Sequence, residues 1–262
     1  MTQAARALDA YGAPLLDYLS MRRTARATRE AYLGAAPFPH VVLDGFFPAD
    51  LLPLLESQVP APGDPVGWRR MDRTLPGPGV VQEGKLGLAA EFSVPPLFRR
   101  MFWELNSPAF LEVLEDLTGI TGLLPDPSLQ GSGIHQVLPG GVLAVHADFT
   151  WHKVYAMKRR INVLLYLNRD WRESYGGHLQ LWSRDLSRCA RRIMPLMGRC
   201  VVFSTSDTSF HGHPEPVACP PGCTRKSIAM YYYTAERDDA AVADTRKTEW
   251  QAVSQDALPP VE

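Results

Sequence analysis

Val142-Leu-Ala-Val-His146-Ala-Asp148-Phe149 reads as a strand that ends in a His-x-Asp pair. Side chains alternate across a strand, so His146 and Asp148 leave the same face and can meet one ion with little backbone distortion. The same grammar of short strands surrounds it, at Ile134–Leu138, Val142–Val145, Ile161–Leu167, His178–Trp182, Cys200–Ser204 and Ser227–Tyr233. Turn residues part them, notably Pro139-Gly140-Gly141, Gly176-Gly177 and Pro220-Pro221-Gly222.

Upstream the pattern is helical. Ala4 to Leu33 has Leu15, Leu16 and Leu19 at helical spacing, a weak point at Gly12-Ala13-Pro14, and a basic run of Arg22, Arg23, Arg26 and Arg29 read as a solvated face. His40–Leu43 is a short strand, and Pro48-Ala49-Asp50 opens a helix with Leu51, Leu54 and Leu55 on one side. Ser107-Pro108 starts a second helix, with Phe110, Leu111, Leu114 and Leu117 as its buried stripe and Gly119 as its stop. Between them, Val59 to Leu88 is rich in Pro and Gly and is expected to be a long loop. It is either a substrate lid supplying Trp68 or its arginines, or a plain surface excursion. Helices followed by strands predict an α+β chain with a mainly β core.

At 262 residues the chain is expected to form one domain over 1–262, with a helical part over about 1–120 and a strand-rich core over about 130–235. A net charge of −1 gives no general attraction to phosphate backbones, so nucleic acid is not an expected partner. Cys189, Cys200, Cys219 and Cys223 do not make a disulfide framework, and Cys219-Pro-Pro-Gly-Cys223 is read as free thiols in a turn. There is no signal-peptide pattern and no apolar run of membrane length, so the expectation is a soluble cytoplasmic protein without a membrane partner. The oligomeric state is not legible.

Six of the seven histidines, all but His40, fall between 135 and 213. His211, in Ser209-Phe-His211-Gly-His213-Pro214, follows an apolar run and a polar turn, where a distant strand can return a third ligand to His146 and Asp148. Two imidazoles and one carboxylate on one face are the ligand set of non-haem Fe(II) oxygenases. His213 competes with His211, because i and i+2 share a face unless Gly212 breaks the alternation. His152 and His178 are further candidates, read as cavity-lining or hydrogen-bonding. Gln136 is placed either against a bound ligand or in the core. Arg225 follows in Arg225-Lys-Ser227, and its planar fork suits a carboxylate.

In order, His146-Ala-Asp148, Arg160-Ile-Asn162-Val-Leu-Leu-Tyr166-Leu-Asn168, Trp171 with Gly176-Gly177-His-Leu179-Gln-Leu181, His211-Gly-His-Pro214 and Arg225-Lys-Ser227 resemble the prolyl-hydroxylase-like branch of the 2-oxoglutarate/Fe(II) oxygenases. The resemblance covers about Pro139 to Thr234, and more loosely Pro39–Leu55. It implies a double-stranded β-helix, a jelly-roll or cupin-like barrel with N-terminal flanking helices. It also implies that His146, Asp148 and His211 hold iron, that Arg225 and Tyr166 hold the distal carboxylate of 2-oxoglutarate, and that Asn162, Leu164, Leu179 and Ser227 belong to the co-substrate pocket. Fe(II), 2-oxoglutarate and O2 are the implied cofactors, with ascorbate as an additional candidate. Asn162, Leu164 and Tyr166 alternate onto one strand face, which independently permits this. Two departures, Gln136-Val-Leu138 before the Pro-Gly turn and Glu215–Gly222 between His211 and Arg225, speak against prolyl substrates more than against the chemistry.

The expected activity is hydroxylation of an unactivated C–H bond in a small molecule, such as an amino acid or biosynthetic intermediate, with release of succinate and CO2. Asp148 favours hydroxylation over halogenation and leaves desaturation or ring closure as alternatives. The rivals are a prolyl hydroxylase acting on a protein or peptide, a cupin-type metal enzyme that uses no 2-oxoglutarate, and a binding module on a jelly roll. Trp151, Trp182, Tyr155 and His178 are the expected pocket walls. Arg184, Arg188, Arg191, Arg192 and Arg199 are read as solvated.

Overall fold

The computed structural model describes residues 12–77, 79–235 and 249–251. Residues 4–11 of the expected first helix, and the polar tail around 236–248 and 252–262, lie outside them. The first described helix, α1 (Tyr18–Leu33), starts after the Gly12-Ala13-Pro14 break. There the Asp17 carboxylate accepts from the Ser20 amide at 2.9 Å and satisfies a free helix-end donor. Met21, Ala25 and Tyr32 are its buried face. The expected solvated basic run is partly engaged, since Arg22 and Arg26 both reach Asp116, at 2.6 and 3.1 Å.

After β1 (His40–Leu43) comes α2 (Leu51–Ser57), which buries Leu51, Leu52 and Leu55 and leaves Leu54 57% exposed. The inward stripe is therefore i, i+1, i+4, rotated from the expected one. The segment expected to be a loop is largely a hairpin of β2 (Arg69–Arg70), β3 (Arg73–Leu75) and β4 (Gly79–Leu88). Its Pro and Gly content hid a ten-residue strand, β4. Gly84, at φ +67°, is part of the reason the strand fits: a Cβ there would lie 3.0 Å from the Gly141 Cα of the neighbouring strand.

Helix α3 (Pro96–Leu105) was not foreseen, although Pro96 sits in its first turn and Phe98, Met101, Phe102 and Leu105 form a regular buried stripe. Helix α4 (Pro108–Thr118) follows the expectation closely. Ser107 caps it, Gly119 ends it in the left-handed conformation, and Phe110, Val113, Leu114 and Leu117 are buried.

The remaining chain is strands: β5 (Leu123–Pro125), β6 (Gly133–Ala147), β7 (Trp151–His152), β8 (Met157–Tyr166), β9 (Leu179–Trp182), β10 (Cys189–Ile193), β11 (Cys200–Ser204), β12 (His211–His213), β13 (Arg225–Ala235) and β14 (Glu249–Gln251). The two strands expected at 134–138 and 142–145 are one, β6, running through Pro139-Gly140-Gly141. Its first half pairs with β13 and its second half with β12, so it belongs to both walls of the fold. One wall runs β1-β11-β8-β13-β6 and the other β6-β12-β9-β10. β4 adds to β6 along both halves. This curled antiparallel arrangement is the expected double-stranded β-helix.

Alternation along β8 separates two apolar layers. Ile161, Val163 and Leu165 pack outward with Phe98, Phe110 and Leu114 of the helices, while Leu164 and Tyr166 pack inward with Leu179, Val201 and Phe203. The helices thus brace the outside of the larger wall, and the space between the walls is left for the site.

Candidate active site

β12 lies directly against the second half of β6, with His211 in register with His146. Pairing sets the two imidazoles side by side, their ring centroids 4.6 Å apart. Each ring is fixed from behind by a main-chain carbonyl two residues earlier: His146 Nδ1 by Ala144 O at 2.8 Å and His211 Nδ1 by Ser209 O at 3.0 Å. A carbonyl only accepts, so each Nδ1 carries the hydrogen and each Nε2 keeps its lone pair free. Asp148, just past β6, stands between those nitrogens: His146 Nε2 is 3.5 Å from its Oδ1 and His211 Nε2 is 3.5 Å from its Oδ2. Ligand atoms of the three residues all lie within 4.8 Å of one another, and no other such His/Cys/Asp/Glu group occurs among the described residues. The donor set suits a divalent ion of the first transition row, and no fourth His, Cys, Asp or Glu among the described residues joins it.

Gly212 makes this register possible, because a Cβ there would lie 2.8 Å from the carbonyl oxygens of both Leu143 and Ala144. His213 also lines the cavity, yet it stands outside the three-residue group, beyond a register shift in β12.

Asp148 Oδ2 accepts from Arg159 Nη2 at 2.9 Å and from Asn162 Nδ2 at 2.7 Å. The Asn162 Oδ1 in turn accepts from Arg159 Nε at 2.9 Å and Nη2 at 2.7 Å. Arg159 is 1% exposed, its guanidinium stacked 3.5 Å from the Tyr231 ring centroid. Burial alone would raise the Asp148 carboxyl, but Arg159, then His211 and His146, overcome it and hold it well below the usual carboxylate range. Burial pushes His211 down to about 4, against the pull of Asp148. At neutral pH, therefore, this carboxylate is charged and the His211 imidazole is neutral, as metal binding requires.

Arg225, at the start of β13, is 6% exposed. Its Nε donates to Gly177 O at 2.6 Å, and its Nη2 donates to the Tyr166 hydroxyl at 3.2 Å. Gly177 must be glycine here: its φ is +64°, and a Cβ would come within 2.9 Å of the Arg225 Cδ. Arg225, Leu164 and Leu179 line the same cavity of about 240 Å3 as the His-Asp-His group, and so does Asn162, although its amide is engaged with Asp148 and Arg159. Ser227 is buried beside Tyr166 on the paired strand.

Several expected neighbours lie elsewhere. His152 faces Ser128 Oγ at 3.1 Å, and Gln136 turns to Pro60 O and Thr224 Oγ1. His178 lines a second cleft with Arg192 and Glu215. Trp151, Trp182 and Tyr155 do not wall the cavity; Phe149, Phe203, Tyr231 and Met71 do. Trp182 is spent in the core, its Nε1 donating to Gln180 Oε1 at 3.0 Å. Among the arginines read as solvated, Arg192 pairs with Glu215 and Arg199 with Asp44, at 3.0 and 2.8 Å. Trp68 donates to Ala61 O and does not reach the site, whereas Met71, Arg73, Gln82 and Lys85 of the hairpin line it. Cys219 and Cys223 are free thiols, with burial pushing Cys219 up to about 11.

A curled β-helix with two imidazoles and a carboxylate between its walls, and a buried guanidinium beside them, defines a metal-dependent oxygenase. Residues 132–233 match the 2OG-Fe(II) oxygenase superfamily, and that segment of the chain is a 2OG-Fe(II) oxygenase domain, whose cofactors are Fe(II) and 2-oxoglutarate. No curated protein sequence matches the chain. Among solved structures it is similar to a Trichoplax adhaerens prolyl hydroxylase in complex with a hypoxia inducible factor peptide fragment, at 15% identity and TM-score 0.52, covering 87% of this chain and 96% of that one. A Phytophthora capsici prolyl 4-hydroxylase aligns at 19% identity and TM-score 0.51, over 88% and 74% of the two chains. HygX from Streptomyces hygroscopicus, solved with nickel, 2-oxoglutarate and hygromycin B, aligns at 13% identity and TM-score 0.47, over 82% and 92%. The first two likenesses concern the fold.

Proposed function

We propose that this chain, as one catalytic unit, hydroxylates an unactivated C–H bond of a small molecule while 2-oxoglutarate is converted to succinate and CO2. His146, Asp148 and His211 hold the Fe(II), and Arg225 with Tyr166 holds the distal carboxylate of 2-oxoglutarate. Leu164, Leu179 and Ser227 complete that pocket. The observation that carries this reading is the meeting of three ligand atoms within 4.8 Å, two from the end of β6 and one from the distant β12, beside a buried arginine.

Fe(II) with 2-oxoglutarate and O2 supplies the oxidant for the C–H bond, and the chain supplies position. The Ala144 and Ser209 carbonyls aim both Nε2 atoms. Arg159 and Asn162 keep the carboxylate ionised and immobile. Leu164, Leu179 and Phe203 give the cavity dry walls, which strengthens each of these electrostatic contacts.

The size of the cavity favours a small molecule over a peptide. At about 240 Å3 it lies below the usual range for drug-sized ligands, and bound 2-oxoglutarate would take up part of it. The hairpin residues Met71, Arg73, Gln82 and Lys85 form part of its wall. The four free thiols among the described residues support a reducing compartment, the cytoplasm.

Purified protein given Fe(II), ascorbate and 2-oxoglutarate without substrate should release succinate slowly, and Asp148→Ala should abolish that release. Persistence of the activity in clean Asp148→Ala protein would remove this carboxylate from the metal site. Stimulation by a prolyl peptide, and by no free amino acid or other small metabolite, would move the assignment to a prolyl hydroxylase.

A further inference from the structure

Lys85 was hidden in the segment expected to be a loop, and the structure brings it into the cavity. Strict alternation along β4 would send Glu83 and Lys85 to the same side. A register shift between those two residues breaks the alternation, so Gln82 and Lys85 both line the cavity while Glu83 is exposed. Lys85 is in register with Val137 of β6, and Val137 with Arg225 of β13. The three form one row across three strands, with a cation at each end.

The Lys85 ammonium makes no hydrogen bond or salt bridge to any described residue. Asp148 is the anion acting on it, and that carboxylate is already held by Arg159 and Asn162; Arg225 and Arg159 act in the opposite sense. Burial is the foremost influence and pushes the group down to about 8. His135, which lines the same cavity, is pushed well below the ordinary imidazole range, by burial first, and is neutral. Lys85 is half-buried on the cavity wall, and an anion beside it would offset what its ammonium loses in hydration.

Resting on the functional reading above, we propose that Lys85 receives a carboxylate of the primary substrate, which makes the substrate class small carboxylic acids. In that reading the distal carboxylate of 2-oxoglutarate belongs to Arg225 with Tyr166, and its 2-oxo acid end would meet the Fe(II). Lys85 is left for a third carboxylate. A protonated amine at this place would meet Lys85, Arg159 and Arg225 together and be rejected.

The test uses the full chain loaded with Mn(II) and saturating 2-oxoglutarate. Acetate against acetamide, benzoate against benzamide, and L-proline against L-prolinamide are titrated and followed by calorimetry and thermal shift. Acids should bind about tenfold more tightly than their amides, the worth of one charge-assisted hydrogen bond. Lys85→Met should erase that preference, and Lys85→Arg should retain it. Equal binding of acids and amides by the unaltered protein, or a preference surviving in Lys85→Met, overturns the proposal. So does a rise in the 2-oxoglutarate requirement of Lys85→Met, which would put Lys85 in the co-substrate site while leaving the oxygenase reading intact. Failure of the unaltered protein to release succinate at all would count against the oxygenase reading itself.

Discussion

Asn162→Leu separates two roles for one residue. Resemblance assigns Asn162 to the co-substrate pocket, whereas its amide donates to Asp148 Oδ2 at 2.7 Å and accepts from Arg159 at 2.7 and 2.9 Å and from Thr205 Oγ1 at 3.2 Å. Leucine keeps the volume and removes every one of these contacts. Asp148 retains Arg159, so the carboxylate stays charged but loses one of the two donors that fix its orientation. Loss of a partner behind a metal ligand typically costs 10- to 100-fold in metal affinity, or about 1.4 to 2.7 kcal/mol. Calorimetric titration of Mn(II) into the apo protein at saturating 2-oxoglutarate reads this directly. The Fe(II) dependence of succinate release should shift by the same factor, while the KM for 2-oxoglutarate moves by less than about twofold. The folded apo protein should also lose roughly 1–3 kcal/mol, because Arg159 is left with buried donors unmatched. Unchanged Mn(II) affinity with a raised KM for 2-oxoglutarate would refute the reasoning and return Asn162 to the co-substrate.

Arg225→Ala should raise the KM for 2-oxoglutarate by about 30- to 1000-fold, the worth of 2–4 kcal/mol for a truncated buried charge contact, and leave Mn(II) affinity within a few fold; equal effects on both would deny Arg225 its place. Acid should destabilise the apo protein. Burial pushes His178 and His211 down to about 4 from 6.5, and His135 and His213 also well below 6.5. Between about pH 6.5 and 4 the unfolded chain therefore binds more protons than the folded one. Stability is fully present above that window and lost as pH falls through it, by roughly 1.4 kcal/mol per pH unit for each such histidine. Urea unfolding at pH 7 and pH 5 checks the sign, and equal or greater stability at pH 5 would refute it.

The strand-rich core was legible in period-two alternation, and the β-helix in the resemblance that the ordered motifs carry. His146 and Asp148 share a face by spacing alone. What alternation does not encode is register between strands, so the direct pairing of His211 with His146 was beyond reach. So was β4, because Gly84 and its neighbours read as loop residues when nothing tells the reader that Gly141 must approach so closely. Helix α3 is different: its Pro96 start and the Phe98, Met101, Phe102, Leu105 stripe are local signals that the sequence carries in full.

Two of the cavity cations that the motifs did not name, Arg159 and Lys85, depart from regular alternation for one shared reason. Along β8, alternation from Asn162, Leu164 and Tyr166 predicts that Arg160 points inward. The pairing with β13 slips at this point, with Ile161 opposite Tyr232 and Arg159 opposite Tyr233, and Arg160 is the extra residue. Arg159 therefore enters the cavity to hold Asp148, and Arg160 turns to Thr234 Oγ1 at 3.2 Å. The slip between Glu83 and Lys85 does the same on β4. Each bulge inverts which face the next residues take, at the cost of a locally broken ladder. Both inversions bring a cation toward the cavity that Asp148 lines, where regular strands would have turned it to the other face. The site is thus specified by the strands' regularity for its ligands and by two local failures of that regularity for the charges around them.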